Sequence, residues 1–150
     1  MLHARKILAA IVFAGALSPA LAQNVALIVS NDDKYGPHLT DEAGRSFYMF
    51  SADQQGTESA PAVSNCKDAC AEAWPPLTIS DPLDIRGRID KNLIGQIERT
   101  DGSTQVTFGG WPLYYYARHE GVGRLSGQLV EEFGGIWYLV APDGAAIKKK

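Results

Sequence analysis

Gly44-Arg45-Ser46-Phe47-Tyr48-Met49-Phe50-Ser51-Ala52-Asp53 aligns without a gap to Gly110-Trp111-Pro112-Leu113-Tyr114-Tyr115-Tyr116-Ala117-Arg118-His119, 66 positions further along the chain. Glycine opens both blocks, Tyr48 falls on Tyr114, Phe50 on Tyr116, and Asp53 on His119. A loop and then a tryptophan, Trp74 or Trp137, follow each block. One matched aromatic pair would be cheap by chance. A strand, loop and tryptophan recurring in the same order argues for a duplicated supersecondary unit, spanning residues 36–77 and 104–144.

Within each block the aromatics stand two apart, so Tyr48 and Phe50 share one face of a strand, as do Tyr114 and Tyr116, while Met49 faces the other way. Such pairs usually pack in a core or across strands, and buried tyrosine hydroxyls need acceptors that Asp53 or His119 could supply. Residues 25–29 form another apolar strand, ended by the turn formers Asn31-Asp32-Asp33. Asp101-Gly102 between the β-prone runs 94–99 and 104–108 is a hairpin signal. Strands follow at 113–116 and 136–140, the last stopped by Pro142-Asp143-Gly144.

A single segment reads as helical, 66–73, with Ser64 or Asn65 as N-cap, Asp68 in the first turn and Pro75-Pro76 forcing its end. Residues 54–63 and 120–127 are loops; Gly121-Val122-Gly123-Arg124 does not join a strand to a helix and so is no nucleotide loop. The expectation is a mainly β, compact antiparallel sheet domain built from two related strand-loop units with one short helix.

The first 22 residues read as a cleavable signal peptide: Arg5-Lys6, an apolar run over 7–17, Ser18-Pro19, then Ala20-Leu21-Ala22. An apolar run of that length is too short to cross about 30 Å of hydrocarbon. Cleavage before Gln23 leaves a single domain over 23–150, periplasmic or secreted and soluble, with no transmembrane segment. The net charge of −3 becomes −5 once Arg5 and Lys6 depart. No basic face exists for nucleic acid, and Lys148-Lys149-Lys150 reads as a solvated end.

Tyr48-x-Phe50-x-x-Asp53, Cys66-x-x-x-Cys70-x-x-x-Trp74-Pro75-Pro76-Leu77, Gly110-Trp111-Pro112-Leu113-Tyr114 and Trp137-Tyr138-Leu139-Val140-Ala141-Pro142-Asp143-Gly144 occur in that order. Their combination resembles the family described as a secreted repeat of unknown function, whose members are predicted lipoproteins with a Tyr-x-aromatic-x-x-Asp motif. Two departures stand out. His119 replaces the second unit's expected Asp, and no lipid-accepting cysteine stands at the cleavage point, which implies a freely soluble relative.

Cys66 and Cys70 are the only cysteines, and export makes a disulfide the default. The alternative is a copper site in which reduced Cys66 and Cys70 are helped by Met49, His119 or His38, a set soft enough for Cu(I). Covalent haem would need Cys-x-x-Cys-His, and a thioredoxin-like site two residues between its cysteines. With no catalytic pattern recognisable, the expected role is non-enzymatic and cofactor-free. Aromatic and polar residues Tyr48, Phe50, Asp53, Trp74, Trp111, Tyr114, Tyr116 and His119 would bind a small ligand or an envelope protein. Periplasmic copper handling is the second reading.

Overall fold

The computed structural model describes residues 25–79, 83–118 and 125–149. The leader read at 1–22, the cleavage point, His119 and Lys150 lie outside them. Strand β1 (Ala26–Asp32) turns back into β2 (Gly36–Thr40), with Ile28 opposite Thr40 and Asp32 opposite Gly36. The Asp32 carboxylate accepts the backbone N–H groups of Lys34 and Tyr35, both at 2.9 Å, and so builds the turn from inside the strand. The strand therefore runs past Asn31, where turn composition alone would have ended it. β2 is unforeseen; Pro37 is tolerated on a strand that is the outer member of its sheet.

β3 (Tyr48–Phe50) is followed by α1 (Ala69–Ala73), β4 (Asp84–Ile85) and a 3-10 turn at Lys91–Leu93. The helix begins three residues later than the expected Cys66. Asp68 has φ 50°, which interrupts any right-handed turn before Ala69. Ser64 and Asn65 are not its caps, since both are engaged elsewhere, as described below. β5 (Ile94–Glu98) and β6 (Thr104–Phe108) form the hairpin expected around Asp101-Gly102, with Gly102 at φ 81°. β7 (Trp111–Pro112), β8 (Glu131–Glu132) and β9 (Gly135–Leu139) complete the set. The strand expected over 113–116 is instead the two-residue β7 and a single bridge position at Tyr114.

Three small sheets result, in the orders β2-β1-β4, β3-β9-β8 and β5-β6-β7. The fold is mainly β, as expected. One pairing departs from the antiparallel expectation: β4 runs parallel to the start of β1, with Ala26 opposite Asp84.

The two repeats interlock rather than sit side by side. Tyr48 and Tyr114, the equivalent residues, exchange both backbone hydrogen bonds at 2.9 Å, so the local two-fold axis passes between them. Around that axis the flanking backbone bonds recur in pairs. Leu39 N–H donates to Val140 O and Val106 N–H to Leu77 O, both at 2.9 Å. Tyr48 pairs with Leu139 and Tyr114 with Pro76. The closing segment of each unit thus completes the sheet of the other, and neither can satisfy its backbone groups alone.

The alternation of β3 divides the core in two. Phe47 and Met49 point into one cluster with Leu39, Val106, Leu113 and Val140. Tyr48 and Phe50 point into a second, with Trp74, Tyr114, Tyr116, Trp137 and both cysteines.

Candidate functional site

The second cluster gathers most residues singled out in the sequence. Tyr116, Trp74, Trp137 and Phe50 form one continuous stack of rings, with centroid separations of 4.1, 3.9 and 4.2 Å. The tryptophans at its centre are parallel to within 1°. Tyr48 meets Trp74 edge-on at 5.4 Å, and Tyr114 meets Trp137 edge-on at 5.1 Å. Each contact has its twin in the other repeat, so the stack straddles the same two-fold axis as the backbone pairing.

Placement inside the core corrects the idea of an aromatic surface. Tyr48, Phe50, Trp74, Tyr114 and Tyr116 are all buried, and Trp111 is only half-buried within the first cluster. These rings spend their faces on one another. His119 lies outside the described residues, so the second unit's counterpart of Asp53 has no assigned position.

Asp53 ties the repeats together through polar contacts. Its Oδ1 accepts the backbone N–H of Asn65 and its Oδ2 accepts the Tyr114 hydroxyl, both at 2.7 Å. Asn65 also donates its side-chain amide to Ala52 O at 2.7 Å, which is why it caps no helix. Ser64 is engaged as well, 2.7 Å from the Tyr114 hydroxyl and 2.7 Å from Arg99 Nη1. Since guanidinium can only donate and carboxylate only accept, the chain has one direction: Arg99 donates to Ser64, Ser64 to Tyr114, and Tyr114 to Asp53. Arg99 further donates to Gln105 Oε1 at 2.6 Å and Cys66 O at 2.7 Å.

Asp53, Ser64, Arg99, Gln105 and Tyr114 of this network are all buried. Burial pushes the Asp53 carboxyl up to about 6, against the opposing pull of Asn65 N–H, the Tyr114 hydroxyl and the Arg99 charge. The Tyr114 hydroxyl is driven well above the usual phenol range by burial and then by the neighbouring Asp53 charge. Burial likewise raises Tyr48, to about 12. Sequence reading missed Arg99, Ser64 and Gln105. Nothing local marks Arg99, which looks like an ordinary charged residue at the end of a hairpin strand.

Cys66 and Cys70 form a disulfide with Cα atoms 5.2 Å apart, matching the expected pairing. Of the ligands considered for copper, Met49 and His38 are not brought to the cysteines. Met49 belongs to the other core cluster, and His38 places Nδ1 3.1 Å from Gly36 O within its own strand. Among the described residues no group of three or more His, Cys, Asp or Glu is arranged to hold a metal ion.

A second feature was not legible in the sequence. A groove of about 510 Å³ opens beside the start of β1, lined by Val25, Ala26 and the 41–45 turn on one side and Asp84 and Arg86 on the other. Arg86 bridges it, with Nη1 2.6 Å from Glu42 Oε1 and Nε 2.7 Å from Asp84 Oδ2. Asp41, almost fully buried, holds Arg45 through the backbone N–H at 2.8 Å and Nε at 2.7 Å.

Fold and site together define a β protein made of two interlocked repeats, clasped by an aromatic stack and a buried polar chain. The family described as "secreted repeat of unknown function" matches residues 29–78 and 95–141, one stretch for each repeat. The chain belongs to that family. No curated protein and no solved structure matches it. Among the described residues no helix is long and apolar enough to cross a membrane.

Proposed function

We propose that the protein is a non-catalytic binding module, soluble in the periplasm or outside the cell after cleavage between Ala22 and Gln23. Its recognition surface is the charged groove beside β1. What supports a non-catalytic reading is the commitment of Asp53: both carboxylate oxygens are engaged in holding the repeats together. The aromatics serve the fold in the same way, which leaves recognition to the surface.

The single observation that carries the groove is its rim of opposite charges. Arg86 and Glu42 are both well exposed, at 49% and 63%, so their ion pair is cheap to exchange for contacts with an incoming group. A small ligand or an envelope-protein segment carrying both signs of charge fits that arrangement, the guanidinium receiving a carboxylate and Glu42 an amine or guanidinium.

Titration with an arginyl-glutamate dipeptide tests it, followed by backbone amide resonances, with alanyl-serine as the neutral control. Saturable shifts at Ala26, Glu42 and Arg86, lost in the double exchange Glu42→Ala with Arg86→Ala, are expected. Shifts scattered over the surface, or equal shifts with the neutral dipeptide, would remove the groove from consideration.

A further inference from the structure

We infer that the Trp74–Trp137 pair is a one-electron donor site, in which oxidation of Trp74 by a radical oxidant is coupled to transfer of its indole proton to Glu132. Two parallel indoles 3.9 Å apart, continued by Tyr116 on one side, offer π faces on which a positive hole is shared. A ring that has lost an electron is a cation lying against neighbouring π faces, and their quadrupoles attract it.

The two-fold symmetry of the stack is broken at one hydrogen bond. Trp74 Nε1 donates to Glu132 Oε2 at 3.2 Å, whereas the buried Trp137 Nε1 has no partner among the described residues. Losing an electron makes an indole N–H strongly acidic, so the acceptor decides which tryptophan keeps the radical. At Trp74 the Nε1–H bond breaks as an O–H bond forms on Glu132, leaving a neutral indolyl radical and a carboxylic acid. The electron passes to the oxidant; with azide radical the product is azide ion.

Glu132 is placed to receive the proton and release it. Its other oxygen accepts from Arg118 Nη2 at 2.6 Å, and its side chain is 28% exposed. Tyr116, at the outer end of the stack, is 9% exposed and gives the buried pair a route to an oxidant in solution through rings in contact. Trp111 packs against the other core cluster, away from this stack.

Pulse radiolysis of the full, disulfide-bonded chain with azide radical tests the site, using Trp111→Phe as the parent to remove the competing indole. The parent is expected to show the absorption of a neutral tryptophan radical. Adding Glu132→Gln, which keeps an acceptor oxygen but removes its basicity, shifts that spectrum to the protonated radical cation. Adding Trp74→Phe instead leaves only the radical cation, now on Trp137. Circular dichroism checks that each variant is folded, and because the two variants perturb packing differently, misfolding of one leaves the other to decide. Loss of all tryptophan radical in the parent, or a neutral radical unchanged by Glu132→Gln, would overturn the assignment.

Discussion

Replacing Tyr114 by Phe removes one oxygen from the middle of the Arg99–Ser64–Tyr114–Asp53 chain and leaves the ring against Trp137 in place. Asp53 Oδ2 then loses its 2.7 Å donor and stays buried. A hydrogen bond to a charged group contributes about 1.5–3 kcal/mol, so a destabilisation of about 2 kcal/mol is expected while Asp53 is ionised. The effect depends on pH, because Asp53 titrates at about 6 in the folded protein against an ordinary 3.8. A carboxyl raised on folding binds its proton more tightly in the native state. Its contribution is thus fully present below the unfolded value and is lost as pH rises through the folded one, on the order of 3 kcal/mol in all. The Tyr114 hydroxyl pulls the Asp53 value down, so its removal raises that value and widens the window. Urea unfolding followed by tryptophan fluorescence at pH 4.5 and pH 8 reads this directly. The destabilisation by Tyr114→Phe should be largest at the higher pH, and Asp53→Asn should abolish the Asp53 slope. A Tyr114→Phe loss that is the same at both pH values would refute the assignment of the carboxylate as the hydroxyl's acceptor.

Other consequences follow from the same geometry. Trp74→Ala and Trp137→Ala, equivalent positions of one stack, should each cost about 3–5 kcal/mol and by similar amounts, measured as midpoint shifts in denaturant. Gly110→Ala should destabilise by more than about 1 kcal/mol, since Gly110 has φ 80° and a Cβ there would collide with the Gly56 carbonyl; thermal melts compared with Gly102→Ala, which meets nothing, separate collision from strain. Paired Cys66→Ser and Cys70→Ser should cost less than the typical ~2–4 kcal/mol of a disulfide, because a separation of four residues closes a short loop; the melting temperature with and without reductant checks it.

Local chemistry made much of the fold readable. The Asp101-Gly102 turn, the period-two alternation of Tyr48, Met49 and Phe50, and the stop at Pro75-Pro76 depend on neighbours in sequence, and each has its counterpart in the structure. Elements went astray where a distant residue took over a local signal. Ser64 and Asn65 resemble helix caps until Tyr114, Arg99 and Asp53 claim them, and the helix then starts only at Ala69. No local pattern marks β2, which forms where β1 pairs with it.

Two copies of one aromatic strand unit, a mainly β fold and the joining of Cys66 to Cys70 can all be read along the chain. These follow from spacing, and spacing survives in one dimension. Folding in three dimensions is what makes the copies exchange their closing segments, so that equivalent tyrosines and tryptophans meet across an axis and become core instead of surface. Arg99 reaches Ser64 across 35 positions and Tyr114 reaches Asp53 across 61. Which partner satisfies a buried polar group depends on the packing that brings them within 3 Å, and no local pattern encodes that distance.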